Sequence, residues 1–306
     1  MTREATWTKV GTDVSQQTTV DEILRQANLD YTVIKEPVYL HDGILVPSRI
    51  ATIKTRDAAD GRPALREPIG LVSERYEIYQ NADAFKFLEE IPDIEFVRAG
   101  ETYNGMVYII GKLPSLTILN DTFTPYVIFQ TSHNGWFSLR ATICPLRIVC
   151  QNQFAMSFKN MDNTISIRHS ARIDSCIAEA QQLLKDTAIY MQGFTNTAEE
   201  LALLHITDTD RNKIIDAFFE STKAITDRQK EALDEKKTRL NLCYKDADNA
   251  NFTGTAWGLV NAFTDYETHR ERKQTERSAE TTFSQVTFDA GAMSRLLNII
   301  RSTVNA

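Results

Sequence analysis

Arginines are the residues best suited to chemistry in this chain. Arg140, Arg147 and Arg168 share its central stretch, and His169 directly follows the last of them. A guanidinium offers a planar fork of donors that matches a phosphate, and its face stacks on nucleobases. Trp136, Phe137 and Tyr126 sit on neighbouring segments that read as strands and supply further stacking faces. Together they describe a surface that would hold a single strand of nucleic acid. The competing account is architectural, with Arg147 and Asn152 bracing a corner between strand and helix and the aromatics buried as core. Gln151 and Asn152 read as a helix start, where free backbone amides make an anion site that Arg147 would strengthen. A buried polar network that specifies the fold explains the same two amides equally well. The most basic run is His269-Arg270-Glu271-Arg272-Lys273, with Arg277 beyond it. Arg270, Arg272 and Lys273 would project from a helix held down by Trp257, Val260 and Phe263, and would reach phosphates. Glu267, Glu271 and Glu276 are interleaved, so helical ion pairs account for this run too.

No catalytic constellation accompanies them. The five histidines are His41, His133, His169, His205 and His269, and none is spaced as a metal-ligand pair. His41 and His133 stand beside Asp42 and Asn134 in turn sequences, which predicts exposed side chains. Cys144, Cys150, Cys176 and Cys243 include no pair with a two-residue gap, so buried thiols in a reducing compartment are expected. No Gly-x-Ser-x-Gly elbow, phosphate loop or dinucleotide fingerprint occurs. Glu89, Glu90, Asp93 and Glu95 have the composition of a nuclease cluster, but they flank a helix end and a strand and read as solvated charge. The expectation is a non-enzymatic protein with no catalytic residue, no metal and no cofactor.

Composition bounds the class. The chain has 306 residues, 42% hydrophobic and 25% charged, as in ordinary globular proteins. A formal net charge of −7 argues mildly against nucleic acid. Screening keeps electrostatic fields local, so a basic patch or an oligomeric groove can override the total. No stretch approaches the roughly 18 uninterrupted apolar residues of a membrane span, and the first residues lack an apolar signal region. A cytoplasmic protein without membrane contact is expected.

These residues need elements to position them. Thr19 and Glu22 form a capping box ahead of Val20, Ile23, Leu24 and Ala27, which share one helical face. Strands follow in pairs. One pair turns at His41-Asp42-Gly43, one at Tyr103-Asn104-Gly105 and one at His133-Asn134-Gly135, where Asp-Gly and Asn-Gly favour tight hairpins. Asn81 is read as the cap of a helix carrying Phe85 and Leu88. Beyond Ile165-Ser166-Ile167 the period becomes helical, with Ile177, Leu184, Ala188 and Met191 on one face. Thr197 and Glu200 suggest a second capping box. Further helices are predicted around Ile214 to Phe219 and over Thr226 to Leu242, Ala256 to His269 and Ala292 to Ile300. The fold class is α+β. Residues 1–170 form an α+β region of antiparallel hairpins and helices, and residues 171–306 a mainly helical region. No flexible linker marks the boundary, which leaves a shared core open.

Several segments, in order along the chain, resemble the phage/plasmid-like protein family that carries domain of unknown function 932. They are Trp7 with Gly11, Asn28-Leu29-Asp30-Tyr31-Thr32-Val33, Gly70-Leu71-Val72-Ser73-Glu74-Arg75-Tyr76 and Gln80-Asn81-Ala82-Asp83-Ala84-Phe85. Thr131-Ser132-His133-Asn134-Gly135 is similar to the family's turn, with Asn134 where Asp is usual. The most specific segment is Cys144-Pro145-Leu146-Arg147-Ile148-Val149-Cys150-Gln151-Asn152, with Cys144 where Thr is usual. Ile167-Arg168-His169-Ser170 and Gly254-Thr255-Ala256-Trp257-Gly258-Leu259-Val260-Asn261-Ala262 complete the series. The resemblance implies a setting among recombination and replication genes of phages and plasmids. It brings no accepted catalytic residues. The function expected is binding of single-stranded DNA by a homo-oligomer, and the alternative is a module that binds a host or phage protein.

Overall fold

The structure is a computed structural model that describes residues 10–59, 61–136, 139–147, 152–153, 163–166, 173–220, 226–269, 281 and 291–304. Its first helix, α1 (Val20–Gln26), begins as the capping box requires. Glu22 N donates to Thr19 Oγ1 at 3.4 Å, and Thr19 N donates to a Glu22 carboxylate oxygen at 3.2 Å. Val20, Ile23 and Leu24 are the buried face.

Three strands follow as a small antiparallel sheet: β2 (Thr32–Tyr39), β3 (Leu45–Arg56) and β4 (Leu65–Val72). At the β2–β3 turn, Leu40 N donates to Ile44 O at 2.8 Å. Tyr39, Leu40, Ile44 and Leu45 make this tip apolar, and each is more than half exposed.

The larger sheet is antiparallel throughout. Its main path runs β1 (Thr12–Asp13), β5 (Glu95–Glu101), β6 (Met106–Lys112), β8 (Asp121–Ser132), β9 (Arg140–Arg147) and β10 (Asn152–Gln153). β7 (Leu116–Ile118) pairs with β8, and β11 (Thr164–Ser166) pairs with β9. The short helix α2 (Asn81–Phe85) and a 3-10 turn (Lys86–Glu90) precede β5. Asn81 is the first residue of α2 and Gln80 its cap, one position from the expectation.

Side chains alternate across the central strands. Val107, Ile109, Val127, Phe129, Ala141 and Ile143 belong to one face, and Met106, Tyr108, Ile110, Ile128, Cys144 and Leu146 to the other. The long helix α3 (Ile173–Leu203) covers the first face. Its Leu183 joins the cluster of Phe87, Val127, Phe129 and Ala141. Its Tyr190, Phe194, Ala198 and Leu201 join Ile118, Phe123 and Ile143. The second cluster is completed by α4 (Asp208–Glu220), α5 (Asp227–Tyr244), α6 (Ala256–Thr268) and α7 (Gly291–Val304). Trp257 lies at its centre, with its ring 5.9 Å from that of Phe194, and Phe194 lies 5.4 Å from Phe123.

Antiparallel sheets in the first half and helices in the second make the fold α+β, as the sequence patterning implies. Three local expectations fail. Thr197 and Glu200 lie inside α3, so no helix starts there, and a hydroxyl three residues before a glutamate is no cap when the chain is already helical. The buried face of α3 runs through Leu183, Thr187, Tyr190, Phe194 and Leu201, and Ala188 is exposed. Asn152 begins no helix. It stands in β10, opposite Arg147, and its backbone belongs to the sheet.

Candidate functional site

Arg147 does not face a ligand. Its place at the end of β9 puts it under the helical half, and the residue is 2% exposed. Nη2 lies 2.6 Å from an Asp121 carboxylate oxygen and Nε donates to the same atom at 2.8 Å. Nη2 also donates to the Asp248 carbonyl at 2.9 Å, and Nη1 to Asn261 Oδ1 at 3.4 Å. The guanidinium carbon stands 5.4 Å from the centre of the Phe252 ring. The group thus ties β9 and the start of β8 to the 3-10 turn Ala247–Phe252 and to α6. The architectural account is correct for this residue, and its assignment to a nucleic-acid surface is withdrawn. The physical reason is satiety: a buried guanidinium whose forks are filled by carboxylate, carbonyl and amide oxygens has nothing left to offer a phosphate.

Arg140 occupies the opposite end of β9, about 23 Å away at the rise of an extended strand. It is half-buried, and desolvation draws its pKa below the ordinary guanidinium value. It remains cationic at any working pH. In register it faces Gln130 on β8 and Ser166 on β11. β11 runs antiparallel to β9, so its direction leads toward the same end of the sheet.

Two turns meet at this end. The β5–β6 turn carries Tyr103, 70% exposed, and the β8–β9 turn carries Trp136, 73% exposed. Asn134 links them. Its Nδ2 donates to the Asn104 carbonyl at 2.8 Å, while its Oδ1 accepts from Trp136 N at 3.1 Å. Tyr76 packs beside Gly135 and donates from its hydroxyl to the Ser132 carbonyl at 2.9 Å, with exposed Arg75 next to it in sequence. Two large aromatic side chains are therefore exposed on coupled turns, with half-buried Arg140 at the start of β9 beyond them and exposed Arg75 beside Tyr76 in the chain. Tyr126, the third expected stacking residue, lies away from it, half-buried against Ile128 and Cys144.

Beneath the turns lies a buried polar layer that turn chemistry alone does not foreshadow. His133 is 2% exposed, contrary to the exposed side chain expected of a turn residue. Asn81 Nδ2 donates to the Leu29 carbonyl, so its Oδ1 is left to accept from His133 Nε2 at 2.8 Å. That contact fixes the tautomer with hydrogen on Nε2. Burial, assisted by the nearby Lys54 charge, pushes the His133 pKa down to about 4. Tyr31 meets the His133 ring edge-on at 6.2 Å and donates to Glu101 at 3.2 Å. Burial first, and the Glu101 charge second, hold the Tyr31 pKa well above its ordinary value. Lys54 of β3 bridges Glu101 at 3.3 Å and Glu67 at 3.2 Å. The layer fastens the small sheet to β5 and to the turn that follows β8. Tyr31, Asn81 and His133 come from three separate segments that resemble the family, and the fold brings them into contact.

The other predicted site residues divide simply. Arg168, His169, Arg270, Arg272, Lys273 and Gln151 lie outside the described residues, as does Phe137. Among the described residues, no group of three or more His, Cys, Asp or Glu is arranged to hold a metal ion, and no helix is long and apolar enough to cross a membrane. Tyr103 and Asn134 were legible as members of Asn-Gly turns, but no sequence signal shows that the two turns touch.

Comparison with curated proteins and with solved structures returns no match. Comparison with protein families matches residues 68–288 to "Domain of unknown function (DUF932)". That match takes in both coupled turns, β9 with Arg147, and α6 with Asn261. By this match over most of its length, the chain belongs to the DUF932 family.

Proposed function

We propose that this chain is a non-enzymatic accessory protein of a phage or plasmid. In this reading it binds single-stranded DNA within a recombination or replication module, as a homo-oligomer in the host cytoplasm. The observation that carries the reading is the pair of exposed aromatic faces, Tyr103 and Trp136, on turns joined by Asn134. Stacking on aromatic side chains holds bases of any sequence, and nearby cations draw in the backbone. Arg140 and Arg75 supply the charge at this edge, and Arg147 has no part in it. The mobile-element setting rests on the family resemblance.

Fluorescence anisotropy with a labelled oligothymidylate of about 30 nucleotides tests the reading. Trp136→Ala and Tyr103→Ala are each expected to weaken binding about 5- to 150-fold, from the roughly 1–3 kcal/mol of one stacked base. Affinity should also fall steeply between about 50 and 200 mM salt. A folded protein that shows no binding at low salt, or aromatic variants that bind like the parent, would remove the proposal.

A protein-binding role is the second reading. It is favoured by the apolar β2–β3 tip, where Tyr39, Leu40, Ile44 and Leu45 stand exposed, and by the net charge of −7. The same titration separates the two readings, because only DNA binding depends on Trp136 and Tyr103.

A further inference from the structure

We infer that Asn134 is the positioning residue of this edge, fixing the separation at which Tyr103 and Trp136 receive neighbouring bases of one strand. The inference rests on the stacking reading and adds a constraint that exposure of the two rings does not supply. Two aromatic rings on independent loops would each hold a base at its own position. Two rings on loops pinned together hold two bases in a set relation, which makes their contributions interdependent.

The geometry of the pin is specific to an amide. Asn134 Nδ2 reaches out of its own turn to the Asn104 carbonyl, the residue after Tyr103, at 2.8 Å. Its Oδ1 turns back to accept the amide of Trp136 at 3.1 Å. One side chain thus spends its donor on the first aromatic turn and its acceptor on the second. The residue is also seated by close approach. A Cβ built on Gly70 of β4 would lie 2.8 Å from Asn134 Cβ and 3.1 Å from its Cα, and one built on Gly105 would lie 2.9 Å from Nδ2. Bare glycines from both sheets therefore enclose Asn134, and the polar layer of His133 and Asn81 supports it from below. The pin has little room to swing.

Asn134→Asp removes the donor, and Asn134→Ser is its neutral control, since the aspartate also adds a negative charge. The asparagine and aspartate side chains have the same shape, and the carboxylate can still accept from Trp136 N. It cannot donate, and it would set an anionic oxygen against the Asn104 carbonyl oxygen. The bond between the turns is lost while the bond within the turn survives.

The experiment is a double-mutant cycle, read by oligothymidylate anisotropy on the full chain. In the parent background, Trp136→Ala and Tyr103→Ala should be coupled, with the double variant losing less affinity than the product of the two single losses. In the Asn134→Asp background the losses should multiply. Asn134→Asp alone should weaken binding about tenfold, within the usual size of coupling between neighbouring groups, and Asn134→Ser, which adds no charge, should weaken it too while leaving the salt slope unchanged because no phosphate contact is removed. A variant that has merely unfolded would lose the salt-dependent binding altogether and the circular dichroism of the sheets with it. Asn134→Ser, which shortens the side chain without adding charge, then provides the second reading of the cycle. If the aromatic single variants weaken binding but stay coupled in the Asn134→Asp protein, or if that protein binds like the parent, the pin is refuted and DNA stacking stands. If the aromatic single variants bind like the parent, the stacking reading itself falls.

Discussion

Arg147→Met is expected to destabilise the fold by about 3–5 kcal/mol, the cost of removing one partner from a buried ion pair. The change leaves Asp121, which is largely buried, without its countercharge. It also strips the Asp248 carbonyl and Asn261 Oδ1 of a donor and removes the cation from beside the Phe252 ring. Methionine replaces much of the volume and none of the hydrogen bonds. Urea denaturation of parent and variant measures the loss directly. The double variant Arg147→Met with Asp121→Leu should recover a large part of it, because removing both charges relieves the desolvation that removing one exposes. A single variant within 1 kcal/mol of the parent would mean, on the scale of about 1 kcal/mol for an ordinary net hydrogen bond, that the contacts are incidental. The same experiment bears on function through what it spares. Where Arg147→Met remains folded at low denaturant, its affinity for single-stranded DNA should match that of the parent.

Mild acid should produce the second large effect. His133 is held neutral, with a pKa of about 4 in the fold against an ordinary imidazole value of about 6.5. As the pH falls, the unfolded chain therefore takes up this proton first. The sign follows: the stability contributed by the neutral imidazole is complete above about pH 6.5, declines as the pH drops, and is gone below about 4. Its full size is about 3 kcal/mol, at 1.36 kcal/mol for each unit of difference. Carboxylates held low by hydrogen bonds or ion pairs, such as Asp30 and Asp210, begin to lose their contributions only near and below the ordinary aspartate value of about 3.8. The interval from pH 6.5 to about 4.5 thus belongs chiefly to His133 among these groups. Urea unfolding across that interval should show stability falling with pH, and His133→Gln should flatten the profile. A parent profile already flat between those values would contradict a buried neutral imidazole.

Local signals are legible in the sequence, and long-range ones are not. Thr19 with Glu22, and the Asp-Gly and Asn-Gly turns at Asp42 and Asn104, act through neighbours a few residues away, and each stands where its chemistry predicts; the strand expected from Trp136 after Asn134 instead begins at Arg140, so that connection is longer than a tight hairpin. The Thr226–Gln229 capping box is a signal of the same local kind, at the start of the helix expected over Thr226 to Leu242. Thr197 with Glu200 misled because the same spacing occurs in helix interiors, and only the continuing buried face through Phe194 and Leu201 distinguishes the cases. Arg147 and His133 are failures of another kind. Arg147 is buried by Asp121, Asp248 and Asn261, all distant in the chain. His133 is buried by Asn81 and Tyr31, which arrive with α2 and the small sheet. No window of sequence around either residue contains its partners. The exposed aromatic pair shows the same limit in reverse, since Trp136 was expected to offer a stacking face but its companion across the turn was not foreseen.

The helix α3 has a practical consequence for anyone who would take the protein apart. At about 1.5 Å per residue its 31 residues make a rod of about 46 Å, set like a keel beneath both apolar clusters. A cut at residue 170 would pull the keel out with the second fragment. The first fragment would keep Phe123 and Ile143 with no Phe194 or Trp257 to cover them, and the second would carry the matching greasy surface into water. Dissection at that point would yield two sticky halves rather than two working modules.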